Sequence, residues 1–110
     1  MRSGFVEREE AIEKKFQHDN EIQFKVIARR NRLFGYWAGE QLELQGTELE
    51  SYAAKIVNHT IRNPTELSLV EKVFDDFQEN DVPFTKHQIG KQLLYFQNDA
   101  QKEIKAGIAI

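Results

Sequence analysis

The stretch FQHDNEIQFKVIARRNRLFGYWA, residues 16–38, contains no proline and sets its apolar residues at helical spacing. Phe24, Ile27, Phe34, Trp37, Ala38 and, just beyond, Leu42 are related by i, i+3, i+4 and i+7 spacings, as one buried stripe on an amphipathic helix requires. Lys25, Arg29 and Arg32 fall outside that stripe and are expected to project elsewhere. Upstream, Phe5, Ile12 and Phe16 keep helical spacing, but Asp19, Asn20 and Gln23 interrupt the row. One helix is therefore expected to be docked in a core through its second half and to form an exposed, charged arm through its first. Spaced phenylalanines on such an arm suit it to a partner.

Composition sets the bounds around this helix. The chain has 110 residues, 40% of them hydrophobic and 30% charged, enough for one domain but with a marginal core once an arm is set aside. The expected division is an arm over residues 1–19 and a helical bundle over 20–110. A formal net charge of -3 opposes general binding of polyanions, which depends on a surplus of Lys and Arg, so no nucleic acid is expected as partner. The absence of cysteine excludes disulfides and thiolate metal sites. No apolar run approaches the roughly twenty residues that cross a bilayer, and Met1-Arg2-Ser3-Gly4 leads into charge rather than a signal-peptide core. A cytoplasmic location without direct membrane insertion is expected.

Three further helices are legible. Thr47 precedes Glu50 by three residues after the Gln45-Gly46 break, the spacing of a capping box, and predicts a helix running to about His59 with Leu49, Tyr52, Ala53, Ile56 and Val57 inward. Asn63-Pro64 disfavours helix beyond it. A third helix is predicted from near Thr65, with Leu67, Val70, Val73 or Phe74, and Phe77 as its stripe, ending at Asn80-Asp81. Pro83 then turns the chain, and Thr85 with Gln88 makes a second capping box for a fourth helix burying Ile89, Leu93, Phe96, Ala100 and Ile104 before it frays near Gly107. No strand alternation or internal repeat is present. The expected fold is all-α, a four-helix antiparallel bundle with a mobile or helical N-terminal arm.

Catalytic constellations are thin. His18, His59 and His87 fall on three different predicted elements, without the i, i+4 pairing of a helical metal site. His18 and Asp19 are adjacent, hence about 100° apart around a helix, and read as a solvated pair rather than a proton relay. The glycines never cluster into a phosphate-cradling loop. No enzyme activity, no metal and no catalytic residue is expected. The cluster Arg29-Arg30-Asn31-Arg32, with Lys25 one turn earlier, admits three readings: a solvated face, ion pairs with an acidic protein surface, or contact with phosphate of a nucleotide or nucleic acid. Trp37 lies in the apolar stripe and reads as core.

Several of these residues also carry a family likeness. Phe5-x-x-Arg8-Glu9-x-Ala11, Lys15-Phe16, His18-Asp19-x-Glu21, Phe24-Lys25, Ala28-Arg29-Arg30-Asn31 and Gly35-x-Trp37-Ala38 resemble the signature of the zeta subunit, the ATPase inhibitor of alphaproteobacterial F-type ATP synthases. Tyr52-Ala53-x-Lys55-x-Val57, Lys72-Val73 with Asp76, and His87-Gln88-Ile89 resemble later segments in the same order. The sequence departs from that pattern at Gly90-Lys91-Gln92 and at Asn58-His59-Thr60.

The resemblance implies a four-helix regulator of the F-type ATP synthase, associated through it with the cytoplasmic face of the inner membrane. Its N-terminal segment would insert at an interface between catalytic alpha and beta subunits, reach the rotor and block ATP hydrolysis. Phe5, Ala11, Ile12 and Phe16 would then face the partner as apolar contacts, with Arg8, Glu9, Glu13 and Lys14 pairing with the cleft walls; Lys25, Arg29, Arg30 and Arg32 would offer a secondary contact. It also allows weak binding of an adenine nucleotide by the bundle, for which the sequence shows no phosphate loop; no other cofactor is expected. The alternatives from residue chemistry are a small helical adaptor, or a nucleotide- or nucleic-acid-binding module using the Arg29–Arg32 face.

Overall fold

Four α-helices account for most of the described residues, in a computed structural model that describes the backbone of residues 4–107 and the side chains of residues 19–107. They are α1 (Gly4–Gln41), α2 (Gly46–Arg62), α3 (Glu66–Glu79) and α4 (Lys86–Lys105). Among the described residues there is no strand, and the all-α bundle expected from the periodicity is the fold.

Contacts between helices fix the topology as up-down-up-down. α1 and α2 run antiparallel, with Gly35 against Ala53 and Ile56, and Gly39 against Leu49 and Tyr52. A Cβ at Gly39 would stand 2.5 Å from Leu49 Cδ1, the movable end of a side chain, whereas one at Gly35 would meet the Ala53 backbone at 3.2 Å, so the closest approach of the two backbones is at Gly35. α2 and α3 are antiparallel, joined by the Tyr52 hydroxyl donating to Asp76 (2.7 Å) at one end and by the His59 Nε2–Ser68 Oγ contact (3.0 Å) at the other. α4 returns antiparallel to α1, since Arg29 meets Glu103 while Trp37 meets Phe96.

The core is one cluster built from all four helices: Phe34 and Ala38 of α1, Ile56 of α2, Leu69, Val73 and Phe77 of α3, and Ile89 and Leu93 of α4. Trp37 packs on it as the sequence anticipates, surrounded by the rings of Phe34 (5.8 Å between centroids), Phe77 (5.7 Å), Phe84 (5.4 Å) and Phe96 (6.4 Å). Edge-to-face geometry at Phe77 and Phe84 suits the aromatic quadrupoles and adds to the burial.

The helix ends follow capping chemistry, with one correction. Thr65 caps α3 by accepting from the Ser68 amide (3.1 Å), and Thr85 with Gln88 forms the expected reciprocal box on α4 (3.1 and 2.9 Å). The box expected from Thr47 and Glu50 does not form. α2 closes from Gln45, whose carbonyl accepts from the Leu49 amide, so Thr47 lies inside the first turn. Glu50 is also occupied elsewhere, accepting from the Tyr36 hydroxyl. At its other end α2 continues past His59 to Arg62 before Asn63-Pro64 stops it.

Two stripes also shift. On α1 the buried residues at the bundle end are Val26, Arg30 and Asn31, whereas Phe24 is 75% exposed and Ile27 sits at the rim. The reason is tertiary: α2 ends opposite this part of α1, so no helix covers Phe24. On α3 Leu67 is exposed and Leu69 is buried in its place, because Leu69, Val73 and Phe77 step by four onto one line and Leu67 falls beyond its edge.

Candidate functional site

The end of the bundle at which α1 leaves it is where the basic cluster, an apolar groove and the root of the arm meet. Among residues 19–25 of α1 only Ile22 is even partly buried, so the helix is free of the bundle between Asp19 and Lys25. The side chains of the arm residues Phe5, Arg8, Glu9, Ala11, Ile12, Glu13, Lys14 and Phe16 lie outside the described ones. Their backbone belongs to α1.

Arg29, expected on the outward face, is half-buried against α4, and Arg30 of the same cluster is buried. The Arg29 Nε donates to Glu103 of α4 at 2.7 Å. Arg30 is buried and donates through Nε to Asn31 Oδ1 (3.0 Å), and through one terminal nitrogen to Glu66 (2.9 Å) and Gln97 (3.0 Å). Burial lowers the Arg30 pKa and the Glu66 carboxylate opposes that shift; the group stays charged because an arginine starts so high. These two arginines tie α1 to α3 and α4 and are engaged within the fold. Lys25 and Arg32 remain on the surface.

Sequence spacing places Arg29 beside Lys25 and Arg32 with no acid three or four residues from it on the same helix, and the neutralising carboxylate arrives from α4, a partner that periodicity within α1 cannot reveal. Tyr52 is a half-buried polar group between α2 and α3. Desolvation, then the bond to Asp76, pushes its phenol well above the ordinary range, so it acts as a neutral donor linking α2 to α3, with Lys72 also bonded to Asp76 at 3.0 Å.

An apolar groove opens beside this polar root, with a volume of about 350 Å³. Phe24 and Ile27 of α1, Val57 and Ile61 of α2, and Pro64 of the connection line it, and Leu69 closes its base. The sequence reading assigned Phe24 and Ile27 to the core and overlooked Ile61. The available signal was Ile61 standing just before Asn63-Pro64, an apolar residue at the last turn of a helix with no following helix to cover it.

Chemically the arrangement can bind and position but shows no reactive constellation. Among the described residues no group of three or more His, Asp or Glu converges to hold a metal ion. His59 contacts Ser68 and His87 is exposed at the start of α4, while the side chain of His18 lies outside the described ones. No helix among the described residues is long and apolar enough to cross a membrane.

A long α1 emerging from a short up-down-up-down bundle agrees with the likeness already seen in the residues, and the family model for the ATPase inhibitor subunit zeta matches residues 1–103. The chain belongs to the ATPase inhibitor subunit zeta family. No curated protein and no solved structure shows significant similarity to it. As a zeta-family ATPase inhibitor it is a regulatory protein, and an ATP synthase is the partner that the family implies.

Proposed function

We propose that this zeta-family protein blocks ATP hydrolysis by inserting the N-terminal part of α1 at a catalytic alpha/beta interface of the F-type ATP synthase, close to the rotor. The observation that carries this reading is the continuation of α1 as one helix from Gly4 to Gln41, with residues 19–25 outside the bundle except for the partly buried Ile22. From Gly4 to Asp19 the helix makes a rod of about 24 Å at the helical rise, long enough for a deep cleft between subunits. Phe5, Ile12 and Phe16 serve as apolar anchors, and Arg8, Glu9, Glu13 and Lys14 set register by pairing with the walls. Inhibition in this reading takes place at the cytoplasmic face of the membrane that carries the enzyme.

Insertion of a rod explains why no catalytic group is needed. Rotation requires the interface to open and close, and a helix wedged into it opposes closure by occupying volume. Arg29 with Glu103, and Arg30 with Glu66 and Gln97, hold α1 against the rest of the bundle at the point where it emerges, so the bundle and arm act as a plug with a fixed root.

The test is steady-state ATP hydrolysis by the isolated catalytic complex, titrated with the full chain and with a form beginning at Asn20. The shortened form is expected to keep a cooperative thermal melt, since every core residue named above lies beyond Asn20, and to lose inhibition. Full inhibition by the shortened form would move the activity from the arm to the bundle.

A further inference from the structure

The proposed insertion of the arm makes no use of the groove at the bundle end, although its rim is the most exposed apolar surface near the arm's root. Phe24 is 75% and Ile61 is 76% exposed, and both line it. Contiguous exposed apolar surface of this kind marks an interaction site. The groove stays open because Asn63-Pro64 ends α2 at Arg62, and the chain turns into α3 without covering Phe24.

The lining indicates what kind of occupant fits. Arg30, the one charged residue there, already has its guanidinium held by Glu66, Gln97 and Asn31, so it is poorly placed to recruit a phosphate or carboxylate. Apolar side chains suit the remaining walls. The groove is also continuous with the arm: Ile27 stands eleven residues beyond Phe16, and Phe16 eleven beyond Phe5, each interval close to three helical turns. Phe24 lies about 12 Å along α1 from Phe16 at the helical rise, so a protein surface that receives the arm runs on directly towards the groove.

We propose that this groove is a second docking site for the ATP synthase, taking apolar side chains from the enzyme surface beside the mouth of the cleft that the arm enters. The inference rests on the reading of arm insertion given above. Its consequence is two-point attachment. Once the groove is seated, arm insertion becomes an intramolecular step at high effective concentration, and dissociation requires both contacts to break.

The experiment uses the full chain throughout. Ile61→Asp and Phe24→Ser are made separately, with Leu94→Asp as an exposed apolar control on α4 away from the groove, and Phe5→Ala with Phe16→Ala as the arm variant. Each is titrated against ATP hydrolysis by the catalytic complex, and a photo-crosslinking phenylalanine analogue is placed at position 61 in the otherwise unchanged chain. The groove variants are expected to need about fivefold or more protein for half-inhibition, with unchanged thermal melts, and the control to match the natural chain. The crosslinker is expected to capture an alpha or beta subunit.

Groove variants as potent as the natural chain, with no adduct from position 61, would overturn the docking site while a weakened arm variant left the arm reading intact. Loss of potency in the groove variants with an unaffected arm variant would do the reverse. Sedimentation of the natural chain as a dimer and of Ile61→Asp as a monomer, at equal inhibition, would assign the groove to a second copy and also overturn the proposal.

Discussion

Trp37 is the residue on which the core closes, because its ring touches aromatic residues contributed by α1, α3, the α3–α4 connection and α4. Trp37→Ala would remove those contacts and leave a void that so small a core cannot collapse to fill, so a loss of about 3–5 kcal/mol is expected from denaturant melts. Glu43 offers the opposite experiment. It ends α1 with φ +60, while the Leu44 amide donates to the Gly39 carbonyl and the Glu43 amide to the Glu40 carbonyl, both at 3.0 Å. This is the Schellman arrangement, in which the left-handed position favours glycine. Glu43→Gly is expected to stabilise the protein by up to about 1 kcal/mol, read as a rise in the thermal midpoint, since relief of backbone strain outweighs glycine's added freedom in the unfolded chain.

At the scale of the element, α1 has to be both core helix and arm, and its two parts are held very differently. From Val26 to Ala38 it buries side chains against the other helices and is pinned by Arg29 and Arg30. Between Asp19 and Lys25 it has almost nothing to pack against. A helix of some fifteen to twenty residues without tertiary contact is marginal in water, because nucleation is costly and packing supplies most helical stability. In the isolated protein, amide exchange is therefore expected to be fast before Asp19 and slow from about Val26 to Ala38, with α1 protected along the arm only when the ATP synthase is bound. Uniform slow exchange from Phe5 onward in the free protein would contradict the division into arm and bundle.

For the whole molecule, the sequence was enough for the number and order of the helices, the start of α3 near Thr65, the Thr85 cap, the turn at Pro83 and the central place of Trp37. Each of these depends on residues within a few positions of one another, so the chemistry that decides them is local. The family likeness was legible for the same reason, being carried by short motifs along the chain. What only the tertiary structure decided concerns meetings between distant segments. Arg29 and Arg30 form an unneutralised cluster when α1 is considered alone, and become internal ties only because α3 and α4 bring Glu66, Gln97 and Glu103 to them. Glu50 is diverted from a local capping box by Tyr36, a residue of the neighbouring helix. Phe24, Ile61 and Leu67 carry the hydrophobicity of core residues, yet their exposure follows from where α2 stops and how α3 is turned. Periodicity establishes that a helix has an apolar face; which part of that face is covered depends on the lengths and angles of the other helices, and no pattern within the helix itself contains them.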